Sequence, residues 1–247
     1  MENIILRDNA TSVYAFLSFI NTYQTQGEAP LTKKILDCGA GGLVPPLVLF
    51  YQHGFETWGI DISDEQLQRA QTFCKDHGIN LNLRKGDMRR ISFEDETFDY
   101  VYEHYSMCHL TKEDTALAIN EMYRVLKKGG LCFLGVISMD SWPKLIFGQE
   151  REPGEFWSKE HGDELTVHSM FTDEEADQLV SAWEIVNKEK RVRYLRESAE
   201  RTSLEDWMDM YKGARTGYSK EAWKEKYEQR ANEFQYAHIY YFLRKPT

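Results

Sequence analysis

Apolar residues in the first half of the chain fall into short runs separated by stretches whose apolar positions recur every three to four residues. The run KKILDCG (33–39) reads as a strand, 44–53 as a helix and ETWGID (56–61) as a second strand. Ser63 sits where an N-cap belongs, ahead of a helical pattern that ends at His77. A strand over 79–85 leads into GDM, TFDYVYE (97–103) is the next strand, and a helix spans 112–126. The turn KKGG then precedes the strand LCFLGVIS (131–138). Strands alternating with helices predict an α/β fold, a parallel sheet covered on both faces. Such sheets bind ligands beyond the carboxyl ends of their strands.

The alternation breaks after Ser138. Residues 139–170 are rich in Trp, Gly, Pro and His and show no clear period, so they read as a loop insertion. Thr172 opens a helix in TDEEADQLVSAW, and EIVNKEKRVRYL follows as a strand. A helical insertion over 198–232 precedes the last strand, YAHIYYFLRK. Both insertions fall near the carboxyl edge of the sheet, where lids over a site would be.

Composition narrows the function. The 247 residues are 42% hydrophobic, enough for a sizeable core, and carry a formal net charge of −10. That charge speaks against a nucleic-acid partner, which needs basic surface to replace counterions. No stretch reaches the length of a membrane span, and the first ten residues lack the apolar run of a secretory signal. Cys38, Cys74, Cys108 and Cys132 form no Cys-x-x-Cys pair, which suits buried thiols in a reducing compartment. The expectation is a cytoplasmic enzyme of small-molecule chemistry, with no membrane and no metal, since no histidine pair has ligand spacing on one helix.

The chemistry concentrates at strand ends. Gly39, Ala40, Gly41 and Gly42 follow the first strand directly, but Val44 stands where a dinucleotide fingerprint needs its third glycine. Pro45 and Pro46 fit a first helical turn and remove donors that a pyrophosphate would use. Asp61 ends the second strand, where a carboxylate accepts both hydroxyls of a ribose. Asp87 ends the third, where it faces an exocyclic adenine N–H with Met88 beside the ring. Three acidic residues at three strand ends make an adenosine site without phosphate, and their charge suits a sulfonium and an ammonium group.

These segments resemble the class I S-adenosylmethionine-dependent methyltransferases of small-molecule type. ILDCGAGG is similar to that family's first motif, GIDIS to its second, KGDMRRISFEDETFDYVYEHYSMCHL to its adenine and fourth-strand motifs, and EMYRVLKKGGLCFLGV to its fifth-strand region. Leu43 departs from the pattern, standing where a third glycine is frequent. The resemblance implies one domain over 1–247. It would be a Rossmann-like three-layer sandwich whose mainly parallel seven-stranded sheet has its last strand antiparallel. Residues 33–138 would be the cofactor-binding core, with 139–170 and 198–232 as lids. It further implies S-adenosyl-L-methionine as cofactor and S-adenosyl-L-homocysteine as product. Asp37 would sit near the methionine amino group, with Gly39, Ala40 and Gly41 under the cofactor. Asp61 would hold the ribose, Ile62 would pack on adenine, and Asp87 and Met88 would meet its edge. Gln66 and Tyr14 join this set, and Glu103 lies at the methionine end.

Methyl transfer from sulfonium is an in-line displacement that demands alignment and dryness first, and a base where the acceptor carries a proton. His104 is the candidate base, with Glu103 beside it. Trp142, Trp157 and His168 of the first insertion are candidates to wall the acceptor, and Phe16 to Phe19 to close over the cofactor. The amphipathic second insertion suits either a cover over the pocket or a homodimer contact. The competing functions are a silent S-adenosylmethionine sensor and a nicotinamide-dependent dehydrogenase.

Overall fold

The computed structural model describes residues 11–24, 32–142, 147–161, 164–194, 203–210, 219–229 and 235–247. The first half follows the predicted alternation: α1 (Thr11–Gln24), β1 (Lys34–Cys38), α2 (Leu47–Gln52), β2 (Glu56–Asp61), α3 (Asp64–His77), β3 (Leu83–Lys85), β4 (Phe98–Tyr102), α4 (Lys112–Val125) and β5 (Leu126–Ser138). Local chemistry sets these bounds. The Ser63 hydroxyl accepts from Gln66 N–H to start α3, and Gly78 at φ 62° ends it in the left-handed conformation that glycine adopts freely. Pro45 and Pro46 form the entry to α2, their carbonyls accepting from Val48 and Leu49, so the helix proper starts three residues later than the pattern predicts. The KKGG turn is absorbed into β5 as a bulge. Phe98 pairs with Leu126 and Tyr100 with Leu131, with Gly129 at φ 73° between.

The chain continues through β6 (Gln149–Glu152), β7 (Glu155–His161), β8 (Glu164–Phe171), α5 (Asp173–Leu179), β9 (Glu184–Tyr194), α6 (Leu204–Met210), α7 (Lys220–Gln229) and β10 (Gln235–Arg244). Seven strands lie in the order β3-β2-β1-β4-β5-β10-β9. β1 to β5 are parallel, and β10 is antiparallel to both β5 and β9, as expected of the last strand.

Three more strands occupy the segment expected to be a loop. Beyond the end of β4, β8 pairs in parallel with Ile137 and Ser138, and β7 and β6 extend from it antiparallel. The pattern concealed β8 because Val167, His168, Ser169 and Met170 are all buried, and a strand covered on both faces has no period of two. Two helices, α6 and α7, stand in the insertion predicted to be helical; its remaining residues lie outside the described ones.

Two apolar layers sandwich the sheet. α1, α2 and α3 cover one face through Phe16, Ile20, Phe50 and Phe73, and α4 and α5 the other through Ile119, Met122 and Ala176. Phe16 belongs to the core and not over a cofactor. Its ring is fully buried against Phe50, Tyr102, Phe133 and Phe242 at centroid distances of 5.6–6.4 Å. Burial of that ring in a close-packed aromatic cluster is what docks α1. Phe16→Ala is therefore expected to destabilise the protein by about 3–5 kcal/mol in urea unfolding; a loss under about 1 kcal/mol would show that α1 is not held this way.

Candidate functional site

The strand ends converge on the glycine turn. Every N–H of the turn is engaged inside the protein. Gly39 and Ala40 both donate to the Ile60 carbonyl (2.8 and 2.9 Å), Gly41 to Asp61 Oδ2 (2.9 Å) and Gly42 to the Gln66 carbonyl (3.0 Å). Glycine is required here for space and for backbone angle. Gly39 has φ 123°, and a Cβ on it would lie 1.9 Å from Ser106 Oγ; one on Gly41 would lie 2.5 Å from both Asp61 Oδ2 and Gln66 Cβ. Gln66 thus supports the turn through its backbone carbonyl and Cβ.

The four carboxylates of the site differ in how their oxygens are satisfied. Asp61 is half-buried and bridges the turn to α3, Oδ2 accepting from Gly41 and Oδ1 from Ser63 N–H (2.8 Å). Each oxygen keeps a further lone pair for a hydroxyl. Asp37 is 1% exposed; Tyr102 Oη donates to Oδ2 (2.5 Å), and Oδ1 has no hydrogen-bond partner among the described residues. Burial, opposed by the Tyr102 hydrogen bond and reinforced by Asp61 and Glu103, pushes its pKa up to about 8.

Asp87 is gripped by Arg89, whose Nε and Nη2 reach it at 2.7–3.0 Å while Nη1 reaches Asp114 (2.8 Å). That hydrogen bonding holds its carboxyl below the usual range. Arg89, not foreseen from the sequence, competes for the oxygens assigned to adenine. Met88 is half-buried and its methyl reaches toward Gly39, while Ile62 is 58% exposed beside the turn.

Glu103 is held from within the protein. It is buried, Oε1 accepts from Gly135 N–H (2.9 Å), and Oε2 accepts from Ser106 and Met107 N–H (3.2 Å each). A carboxylate so enclosed needs those donors, and it anchors the loop after β4 to β5. Burial raises its pKa despite them.

The acceptor candidates do not share one wall. His168 on β8 packs against His109 (4.9 Å) and Phe147 (5.6 Å). Trp157 is cross-strand partner of Val167, so it projects from the opposite face, where Arg151 lies over its ring at 5.3 Å. Trp142 pairs backbone to backbone with Gln235, joining the start of one insertion to the end of the other. Tyr14 sits 37% exposed on α1. His104 is half-buried with its ring 4.5 Å from Tyr105.

A ring cluster missed in the sequence surrounds that histidine. Tyr105 has φ 60°, rare for a bulky side chain, and its hydroxyl lies 2.9 Å from that of Tyr240. Its ring lies 5.0 Å from His238 and 6.3 Å from Tyr236. The alternation of Tyr236, His238 and Tyr240 in YAHIYY places all three on one strand face and was the available signal.

Residues 35–130 match the family described as a methyltransferase domain, and that span contains the turn, Asp37, Asp61, Asp87 and Glu103. Over that stretch the chain is similar to methyltransferases. The sterol 24-C-methyltransferase of Saccharomyces cerevisiae is 33% identical over 95 residues, 38% of this chain and 24% of its own length. The phosphatidylethanolamine N-methyltransferase of Cereibacter sphaeroides is 36% identical over 100 residues, 39% of this chain and 47% of its own length. The chain thus spans less than half the length of these relatives. Among solved structures, a methyltransferase from Methanosarcina mazei superposes with TM-score 0.59 at 20% identity, covering 92% of this chain and 97% of its own. A putative sarcosine dimethylglycine methyltransferase from Galdieria sulphuraria does so with TM-score 0.59 at 15% identity, covering 95% and 86%. These two likenesses speak for the fold.

The Asp37 proton is linked to stability. The unfolded side chain ionises near pH 4, whereas the native one keeps its proton to about 8. The contribution is therefore fully present below about pH 4 and lost as pH rises to about 8. Between pH 5 and pH 8 the ligand-free protein is expected to lose at least about 2 kcal/mol more unfolding free energy than Asp37→Asn, measured in urea; parallel pH profiles would contradict the burial of a titrating carboxyl.

Proposed function

We propose that this protein transfers a methyl group from S-adenosylmethionine to a small organic acceptor. The observation that carries the reading is the glycine turn with all four N–H groups engaged, set beside a buried carboxylate oxygen that has no partner. A dinucleotide needs free amides for its pyrophosphate, and this turn offers none from Gly39 to Gly42. The unpartnered Asp37 oxygen suits a cationic donor, and S-adenosylmethionine carries an ammonium group and no phosphate.

The residues divide the work by chemistry. Asp37 would hold the ammonium group, and the loss of its proton would follow from that contact. Asp61 would accept the ribose hydroxyls on its remaining lone pairs, with Gly39, Ala40 and Gly41 allowing close approach. Ile62 and Met88 would flank the adenine, and Asp87 would meet its edge only by sharing oxygens with Arg89. When bound, the sulfonium supplies an electrophilic methyl carbon. The insertions would exclude water and align the acceptor, which is where an in-line displacement gains most.

Matched relatives named for a sterol carbon and for the nitrogen of phosphatidylethanolamine support an acceptor smaller than a protein or nucleic acid. The net charge of −10 points the same way. Among the described residues, no helix is long and apolar enough to cross a membrane.

Calorimetry tests the cofactor. S-adenosylhomocysteine is expected to bind, NADH is not, and Asp61→Ala is expected to weaken S-adenosylhomocysteine by about 1–3 kcal/mol, the range for losing hydrogen bonds to a charged group. Binding of NADH in place of S-adenosylhomocysteine would overturn the reading. Appearance of labelled methyl on a metabolite extract tests turnover, and its absence with the cofactor bound would leave a sensor.

A further inference from the structure

The imidazole of His238 lies on β10, 3% exposed, and its Nδ1 has no hydrogen-bond partner among the described residues. A buried polar nitrogen left unpaired carries a free-energy penalty, and at a site such an atom is one a ligand can satisfy. Burial, the neighbouring His104 and a backbone contact to Gly135 together set its basicity, and the first two dominate, lowering its pKa to about 3. The ring is thus neutral at physiological pH; the Gly135 backbone hydrogen bond favours a ring N–H, and because Nδ1 is unpartnered that N–H is assigned to Nε2, which leaves Nδ1 an acceptor.

Aromatic rings surround it. Tyr105 approaches edge-on at 5.0 Å, Tyr236 lies at 5.4 Å and Tyr240 at 4.9 Å, and Phe147 packs on Tyr236 at 6.0 Å. Two charges among the described residues border the cluster, and both are paired within the protein. Glu103 accepts three backbone N–H groups, and Arg191, over the Tyr240 ring, is paired with Glu189 at 2.6–2.9 Å. Both of these charges are thus already paired.

Location connects the cluster to the reaction. His238 pairs with Ile137 at the carboxyl end of β5, and Tyr105 and His104 directly follow Glu103 at the end of β4. Tyr105 is the half-exposed wall, held over His238 in a strained backbone conformation by its hydroxyl contact with Tyr240.

Resting on the proposed methyl transfer, we propose that Tyr105, Tyr236 and His238 form the acceptor subsite, that its occupant is a planar molecule with a hydroxyl on an aromatic ring, and that His238 Nδ1 accepts the hydrogen bond from that hydroxyl. The flat walls select the ring, and the proton-free nitrogen selects a neutral donor. An alkylammonium would first have to lose a proton that this imidazole is too weakly basic to take. A hydroxyl oxygen becomes strongly acidic as it gains the methyl, so a weak base suffices. The oxygen lone pair forms the O–C bond while the S–C bond breaks and leaves its electron pair on sulfur. The hydroxyl proton passes to Nδ1, and the imidazolium then releases it to water.

The test uses the full chain with histidine labelled by nitrogen-15 and S-adenosylhomocysteine added at a saturation verified by calorimetry, which keeps failure of the cofactor reading separate. Phenol is expected to move the His238 Nδ1 resonance upfield from its bare-nitrogen position, and anisole, which lacks the donor, is expected to leave it in place. His238→Phe is expected to weaken phenol about tenfold while S-adenosylhomocysteine affinity is unchanged, with partial recovery in His238→Asn. An unmoved Nδ1 resonance at saturating phenol, or phenol binding to His238→Phe as in the wild type, would overturn the proposal. Should the variants not fold, the wild-type titration decides alone.

Discussion

The hydrogen bonds that close the Gly39–Gly42 turn are the constraint on which the rest of the site depends. Gly39 and Ala40 bind the Ile60 carbonyl, Gly41 binds the Asp61 carboxylate and Gly42 binds the Gln66 carbonyl, so β1, β2 and α3 are tied at one point. Turning the amides inward leaves the ligand side lined by oxygen. A helix N-terminus preceded by such a turn normally attracts anions. Here Pro45 and Pro46 lack an N–H and the internal bonds engage the amides of the turn, which removes donors that an anion would use.

Buried carboxylates show the difference between scaffold and site. Glu103 and Asp37 both face a desolvation penalty, and both are pushed toward the protonated form. Glu103 meets it with three backbone donors and thereby fixes the loop that carries His104 and Tyr105. Asp37 has only the Tyr102 hydroxyl and an oxygen left over. Protein interiors rarely leave such an atom unsatisfied without a reason, and a cationic ligand is one.

The two insertions are joined by pairing between distant segments. The Trp142–Gln235 backbone pair, together with Ser141 Oγ bonded to both the N–H and the carbonyl of Ala237, brings the roots of both insertions to one edge. The β6–β7–β8 meander extends the sheet there. Tyr236, His238 and Tyr240 then face the loop after β4 because β10 runs antiparallel beside β5.

What the sequence by itself determined is the alternating α/β order, the caps at Ser63 and Thr172, the glycine turn and the acidic residues at successive strand ends, because each is written in neighbouring residues whose period or cap chemistry is local. Only the tertiary structure decided that Arg89 occupies Asp87, that Glu103 is an anchor, that Phe16 is core and that β8 is a strand. Those outcomes depend on partners many positions away and on burial from both faces, which no local period records. The ring cluster stands between the two. The alternation YAHIYY was legible, but its meaning came from the antiparallel register that sets His238 beside Tyr105, and register is settled by the whole sheet.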